Sequence, residues 1–467
     1  MNARVIPILP AAPALSPMQA RLARLGLRLR RHRRAIVTLQ WAVVAVYLFL
    51  VTLPAFLPLP ADEARIVDNL TRFAQFAFWG IWWPGVILAT ALLGRVWCGH
   101  FCPEGTLSEA ASRVGANRPL PDWLKWRGWP FVAFLLTTVY GQLVSVYEYP
   151  KAALLVLGGS TVAAVAVGLV WGRGHRVWCK HLCPANGVFR ILARLAPLHF
   201  QVDRQAWAGS TAAPAPIHCA PMVRIKAMTG GADCHMCGGC AGHKDAIRLA
   251  LRSPNAEIAQ LSRHEASGWE AATLLFGMLG VATGAFQWSA SPWLVAVKQA
   301  LAGWLAGRGL LWPLDDGAPW WLLTHYPQVN DTFTWLDGAL VLGHIALYAL
   351  VLGGSAWLAL TAAGRLLGDA GAWRRLAYGL TPLAGASVFV GLSFLTSSQL
   401  SAEGWRPTWL GDLRMTLLVL AALWSIRLLQ RLAANHPSAL RRRLATTLAA
   451  AGMLPVLAAW ATLFYLW

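Results

Sequence analysis

The chain is 467 residues long, 57% hydrophobic and only 13% charged, a balance that excludes an ordinary soluble globular protein and indicates an integral membrane protein. Its 40 Lys and Arg outnumber 20 Asp and Glu, for a formal net charge of +20. The basic residues border apolar runs and form no separate domain, which argues against nucleic acid as a partner and makes the charge a topology signal.

In chain order, residues 1–34 hold eight arginines (Arg4, Arg21, Arg24, Arg28, Arg30, Arg31, Arg33, Arg34) and no acid, so the positive-inside rule places the N-terminus in the cytoplasm. Spanning a bilayer takes about 20 apolar residues. Runs of that length are predicted at roughly 36–57, 73–94, 129–147, 152–172, 270–289, 335–361, 376–397, 411–428 and 444–466, nine in all. Arg30-Arg31 precede the first run as in an export signal, but that run is long enough to span and lacks a clear A-x-A site, so it reads as a retained helix. Alternation then puts residues 95–128, 173–265, the turn with Arg365, Arg374 and Arg375, and the Arg427 to Arg443 cluster inside. Loops with Asp62, Glu63 and Asp68, with Glu148, with Asp315, Asp316 and Asp331, and with Glu403 fall outside.

The expected fold class is all-α: a polytopic helical protein of the bacterial cytoplasmic (inner) membrane, with the lipid bilayer as its first partner. Four parts are expected: a basic cytoplasmic arm 1–34, a four-helix membrane module 35–200, a small cytoplasmic cluster segment 201–265 and a C-terminal membrane module of about five helices 266–467. Many of the 26 tryptophans sit at run ends, as in interfacial aromatic belts.

Two copies of one motif follow the second and fourth runs: Arg95-Val96-Trp97-Cys98-Gly99-His100-Phe101-Cys102-Pro103 and Arg176-Val177-Trp178-Cys179-Lys180-His181-Leu182-Cys183-Pro184. Each supplies two thiols four residues apart, about one helical turn, so both sulfurs can face one point. One copy cannot make a four-thiolate cage, and two can. The proline fixes its own φ and lacks an N–H, which suits a chain leaving a ligand loop for a new helix. Arg95, His100, Arg176, Lys180 and His181 are expected to lower the thiol pKa values. Val188, Phe189, Leu192, Leu195 and Phe200, with Arg190 and Arg194, read as an amphipathic interfacial stretch.

The segment 201–265 carries the other four cysteines: Cys234-His235-Met236-Cys237-Gly238-Gly239-Cys240, with Cys219 upstream. Three thiolates at C-x2-C-x2-C spacing can wrap one corner of a cubane cluster, and glycines let backbone N–H groups approach the sulfides. A part this small buries little core, so a bound cluster is expected to hold it together.

These residues resemble the membrane polyferredoxins typified by NapH, NosR and CcoG, over roughly 73–250. The resemblance implies [4Fe-4S] clusters, two here, and electron transfer between the quinone pool or cytoplasmic donors and a periplasmic or membrane redox partner. It implies functional roles for Cys98, Cys102, Cys179, Cys183, Cys234, Cys237 and Cys240. The family's fourth ferredoxin cysteine and its proline are replaced here by Lys244 and Asp245; Cys219 is the best candidate ligand in its place, with His218, His235, His243 or a three-iron cluster as alternatives. The extended C-terminal half is similar in layout to the FtrD-like membrane ferredoxin of bacterial ferrous-iron uptake.

That half has fewer chemical landmarks. The outside segment with Trp312, Pro319-Trp320-Trp321, His325-Tyr326-Pro327 and Asp331 reads as a re-entrant or surface helix in preference to a partner-docking surface. In the sixth run Asp337, His344 and Tyr348 share a helix face, a candidate quinol, proton or ion site. Structural disulfides are disfavoured because all eight thiols fall on the reducing side, and structural zinc is the second reading of the thiols. The leading expectation is an electron carrier without a substrate of its own; a metal-transport accessory, a quinol-oxidising subunit and an oxidase-assembly factor are the alternatives.

Overall fold

The structure, a computed structural model, describes residues 16–61, 63–211, 217–262 and 264–467. Arg4 and Asp62, used above to orient the chain, lie outside the described residues. Helix α1, Pro17–Arg31, starts at a capping box in which the Ser16 hydroxyl accepts from the Gln19 N–H and the Gln19 side chain accepts from the Ser16 N–H. Helix α1 folds onto the cluster segment. A Cβ added at Gly26 would stand 3.2 Å from the Leu249 Cβ, so the helix axis approaches closely there.

Among the described residues seven helices are long and apolar enough to cross a membrane: α2 (Arg33–Phe56), α3 (Leu70–Leu93), Pro150–Trp171, Gly268–Ala290, Trp335–Leu366, Trp373–Ala402 and Ala439–Tyr465. The other two expected spans are helical but differ in kind. Trp129–Leu143 has 15 residues, about 22 Å at 1.5 Å per residue, short of a ~30 Å hydrocarbon core. Leu410–Ala433 is 24 residues long but carries Asp412, Arg414, Arg427 and Arg431.

Each duplicated hairpin ends in the same series. Span α3 is followed by the short helix α4 (Val96–His100) and by α5 (Pro103–Val114). The span Pro150–Trp171, here α6, is followed by α7 (Val177–His181) and α8 (Asn186–Leu192). Both spans also contain a π-helical stretch, at Phe76–Trp82 and Leu154–Gly158. The copies are drawn together because α5 of the first lies on α6 of the second along small residues. A Cβ at Gly168 would meet the Ser108 carbonyl oxygen at 2.5 Å, and one at Gly172 would meet the Ser112 Cβ at 2.0 Å. Ser108-x3-Ser112 against Gly168-x3-Gly172 is the close helix approach that small residues permit in membranes.

The expected amphipathic stretch after the second motif is not interfacial. Val188, Phe189, Ile191, Leu192 and Leu195 of and just beyond α8 are all buried, in one core with the C-terminal module. Phe200 lies in strand β1 (Leu198–Val202), which pairs antiparallel with β2 (Ile247–Leu251), Phe200 opposite Leu249. The arginines that suggested a polar face are paired instead. Arg190 meets Glu270 at 2.8 Å, and Arg194 meets Glu257 and Glu270, each at 3.0 Å. The Tyr378 hydroxyl donates to Glu270 at 2.7 Å. This network ties α8 and the cluster segment to the C-terminal helices Gly268–Ala290 and Trp373–Ala402.

Candidate metal centres

The two motif copies have one backbone geometry. In the first, the N–H groups of Phe101 and Cys102 both donate to the Trp97 carbonyl, at 2.9 and 3.0 Å; in the second, Leu182 and Cys183 donate to the Trp178 carbonyl at the same distances. The second cysteine of each pair therefore leaves the short helix and turns back beside the first. Pro103 opens α5 with Cys102 as its N-cap, the Cys102 Sγ accepting from the Gly105 N–H at 3.4 Å. Pro184 occupies a turn, and α8 begins two residues later.

Cys98, Cys102, Cys179 and Cys183 are gathered into one group, each of the last three interacting electrostatically with others of the set. Burial pushes the Cys179 thiol up to about 12 and the Cys102 and Cys183 thiols well above their ordinary range. The expectation of lowered values is therefore reversed for these three thiols. Arg176 and Arg95 do pull Cys179 downward, but they act against burial, the neighbouring Cys98 and the half-buried Glu104. Lys180 turns away, donating to the Met222 carbonyl at 2.9 Å, and burial with Lys180 holds His181 down at about 4, so its imidazole is neutral. With Cys102, Cys179 and Cys183 held as thiols, binding a metal group there releases protons.

Two acids missed by sequence reasoning complete this group. Glu104 accepts from the Trp178 indole at 2.9 Å and from the Ser160 hydroxyl at 2.6 Å, and burial raises its carboxyl. Glu109 is held below the usual carboxylate range against burial by Arg176, at 2.8 Å, with Arg33 and Arg113 beside it. The one available signal was that the first copy reads Cys-Pro-Glu and the second Cys-Pro-Ala.

Cys219, Cys234, Cys237 and Cys240 form a second group, again through mutual interaction. Burial raises the Cys240 thiol to about 12. The Cys219 Sγ accepts from the Val223 N–H and the Cys234 Sγ from the Met236 N–H, both at 3.4 Å. Lys244, in the position of the family's fourth cysteine, points elsewhere, its ammonium over the Trp207 ring at 5.8 Å. His218 stacks on His175 at 5.0 Å and His243 lies against Trp207 at 5.1 Å. The glycines divide their work. Gly239 faces the Cys237 Sγ at 3.8 Å, whereas a Cβ at Gly238, where φ is +74°, would strike the Leu29 Cβ of α1 at 2.6 Å. Gly238 thus admits a helix, not a sulfide.

The groups touch through backbone. A Cβ at Gly99 would stand 2.0 Å from the His235 carbonyl oxygen and 3.1 Å from the Cys237 nitrogen. The first motif copy thereby seats the C-x2-C-x2-C run, and Arg95 adds a bond to the Ala232 carbonyl at 3.2 Å. The second copy seats the Cys219 loop. There the Arg176 N–H donates to the Ala220 carbonyl at 2.8 Å, and His175 Nδ1 lies 3.2 Å from the Cys219 carbonyl.

The residues of the sixth run are dispersed in role. Asp337 closes a capping box with Thr334 and pairs with Lys298 at 2.6 Å. His344 stacks on Tyr348 at 4.5 Å, and the Tyr348 hydroxyl donates to Gln287 at 3.0 Å. The donor chemistry of the two thiol groups fits [4Fe-4S] clusters, four cysteines apiece with N–H groups aimed at sulfur. Among the described residues no group of three or more His, Cys, Asp or Glu converges on a single ion, as four ligands about 2.3 Å from one zinc must; a cubane offers four separated iron corners.

The 4Fe-4S binding domain family matches the chain twice, at residues 75–121 and 154–202, one match around each motif copy. The chain is 22% identical over 244 residues to the Escherichia coli (strain K12) "Putative electron transport protein YccM", covering 46% of this chain and 66% of that protein. The match thus spans just under two thirds of that relative's length. No solved structure matches the chain. Both comparisons support the resemblance to membrane 4Fe-4S ferredoxin-like proteins.

Proposed function

We propose that this chain, with its twice-matched 4Fe-4S binding domain, is a membrane-bound electron-transfer protein. It relays single electrons through two [4Fe-4S] clusters, one held by Cys98, Cys102, Cys179 and Cys183, the other by Cys219, Cys234, Cys237 and Cys240. The observation that carries the reading is the gathering of eight cysteines into two groups of four that meet at Gly99 and His235. The name of the Escherichia coli relative points the same way. When bound, such a group supplies one-electron chemistry. The chain's own part is to hold it in a buried site, to aim N–H donors at its thiolates and to set Arg95 and Arg176 beside them, each of which tunes potential.

The clusters lie on the cytoplasmic side of the inner membrane in this reading, and the other redox partner is periplasmic or membrane-bound. The basic helix α1, packed on the cluster segment, supports one common side for both. The test is iron and acid-labile sulfide per chain on anaerobically purified protein. About eight irons are expected, falling to about four in Cys98→Ser/Cys179→Ser, with Cys219→Ser losing iron or giving a three-iron EPR signal. Zinc in place of iron sinks the proposal.

A further inference from the structure

We infer that the arginine-rimmed opening over Cys237 is the docking site for a small soluble one-electron carrier with an acidic surface around its redox centre. The inference rests on the electron-transfer reading above. The opening is a cavity of about 270 Å³ whose lining includes Arg30, Arg33, Arg113, His218, His243 and Glu109 together with Cys237 and Gly239. The one acid in this rim is already engaged by three arginines: Arg176 and Arg113 at 2.8 Å and Arg33 at 3.9 Å. The rim is therefore net positive toward solvent.

Positive-inside topology accounts for arginines that flank a span, but α1 lies across the cluster segment, where Arg30 donates to the Ala241 carbonyl at 2.9 Å. Gly26 of α1 faces Leu249 and Phe200, while Arg21, Arg24, Arg28 and Arg31 are exposed and extend the positive field beyond the opening. A cavity of this size is below the ~300–1,000 Å³ of small-molecule sites, and among the described residues no aromatic side chain but histidine lines it. It suits surface apposition by a protein, in the small, transient, electrostatically steered interfaces of redox pairs. Cys237 is also the residue whose backbone nitrogen abuts Gly99. Cys237 thus lines the opening and, through its backbone, also lies against the first motif copy. One electron passes from the reduced carrier to the chain, the carrier being oxidised by one and the chain reduced by one, with no bond or proton exchanged.

The test uses the full chain in zwitterionic nanodiscs, with an acidic plant-type [2Fe-2S] ferredoxin as probe and reduced methyl viologen, a cation, as control. In wild type, ferredoxin affinity and ferredoxin-driven reduction rate should fall at least about tenfold between low and high salt. Arg33→Gln/Arg113→Gln should weaken both about tenfold at low salt, read as the ratio of the ferredoxin rate to the viologen rate at measured iron content. Arg28→Glu/Arg31→Glu, on the exposed side of α1, gives the same direction without touching Glu109. Equal ferredoxin affinity and rate in wild type and both variants, at equal iron, overturns the docking site while sparing the electron-transfer reading. Loss of wild-type ferredoxin binding in discs of anionic lipid also overturns it, assigning the rim to headgroups. Absence of iron from wild type removes the electron-transfer reading itself, and this inference with it.

Discussion

At Gly99 and Lys180 the same motif position serves two opposite demands. Lys180 reaches out to the Met222 carbonyl, and a long side chain fits because the second copy faces a loop. Gly99 has no room at all, because the His235 carbonyl occupies the place of a Cβ. Gly99→Ala is expected to push the cysteine run off the first copy at a cost of about 1–3 kcal/mol. It should weaken the magnetic interaction between the two reduced clusters. Thermal unfolding followed by tryptophan fluorescence, with EPR of the dithionite-reduced protein, reads both effects. Lys180→Ala should leave the EPR interaction as in wild type; if the glycine variant does too, the backbone contact is not what sets the spacing. The motif R-V-W-C-x-H-x-C-P marks the ligands but hides this difference, because "x" is decided by what a distant segment places against it.

Between elements, what joins the two half-sites is the packing of α5 on α6. Ser108, Ser112, Gly168 and Gly172 each sacrifice side-chain bulk so that the helices come into backbone contact. Gly168→Leu is expected to part the copies and remove the metal group they share. Iron should fall from about eight to about four per chain while the ferredoxin-like group stays. Unchanged iron would mean the pairing of copies is held elsewhere. The sequence shows these small residues, but hydropathy alone reads them as unremarkable parts of apolar runs. The stretch after the second motif misled for a related reason. Arg190 and Arg194 mark a polar face only if water covers it; here Glu257 and Glu270 cover it, and buried ion pairs satisfy the charges.

Across the whole molecule, the cluster segment is the part least able to stand alone. Its own core is Phe200, Met236, Ala241, Ile247 and Leu249, with Leu22 of α1 and Val96 of the first motif packed against it. The C-terminal module, by contrast, buries a continuous core from Leu274 to Trp460. Removing the metal groups with chelator under oxidising conditions should therefore open the segment first. Limited trypsin digestion should then cut after Arg224 or Lys226, between Cys219 and Cys234, while the membrane helices remain intact. Cleavage at the same rate before and after iron removal would show that α1 and the two motif copies suffice to hold the segment.

By itself the sequence determined the membrane class, seven of the expected spans, the duplicated hairpin and the two sets of cysteines, because apolar run length and motif spacing are local properties. Only the tertiary structure decided that α1 covers the cluster segment and that Glu104 and Glu109 flank the first thiol group. It also decided that the thiols of Cys102, Cys179, Cys183, Cys219, Cys234 and Cys240 are pushed up and not down, because burial depends on every element packed around a site and spacing records only the residues along one stretch.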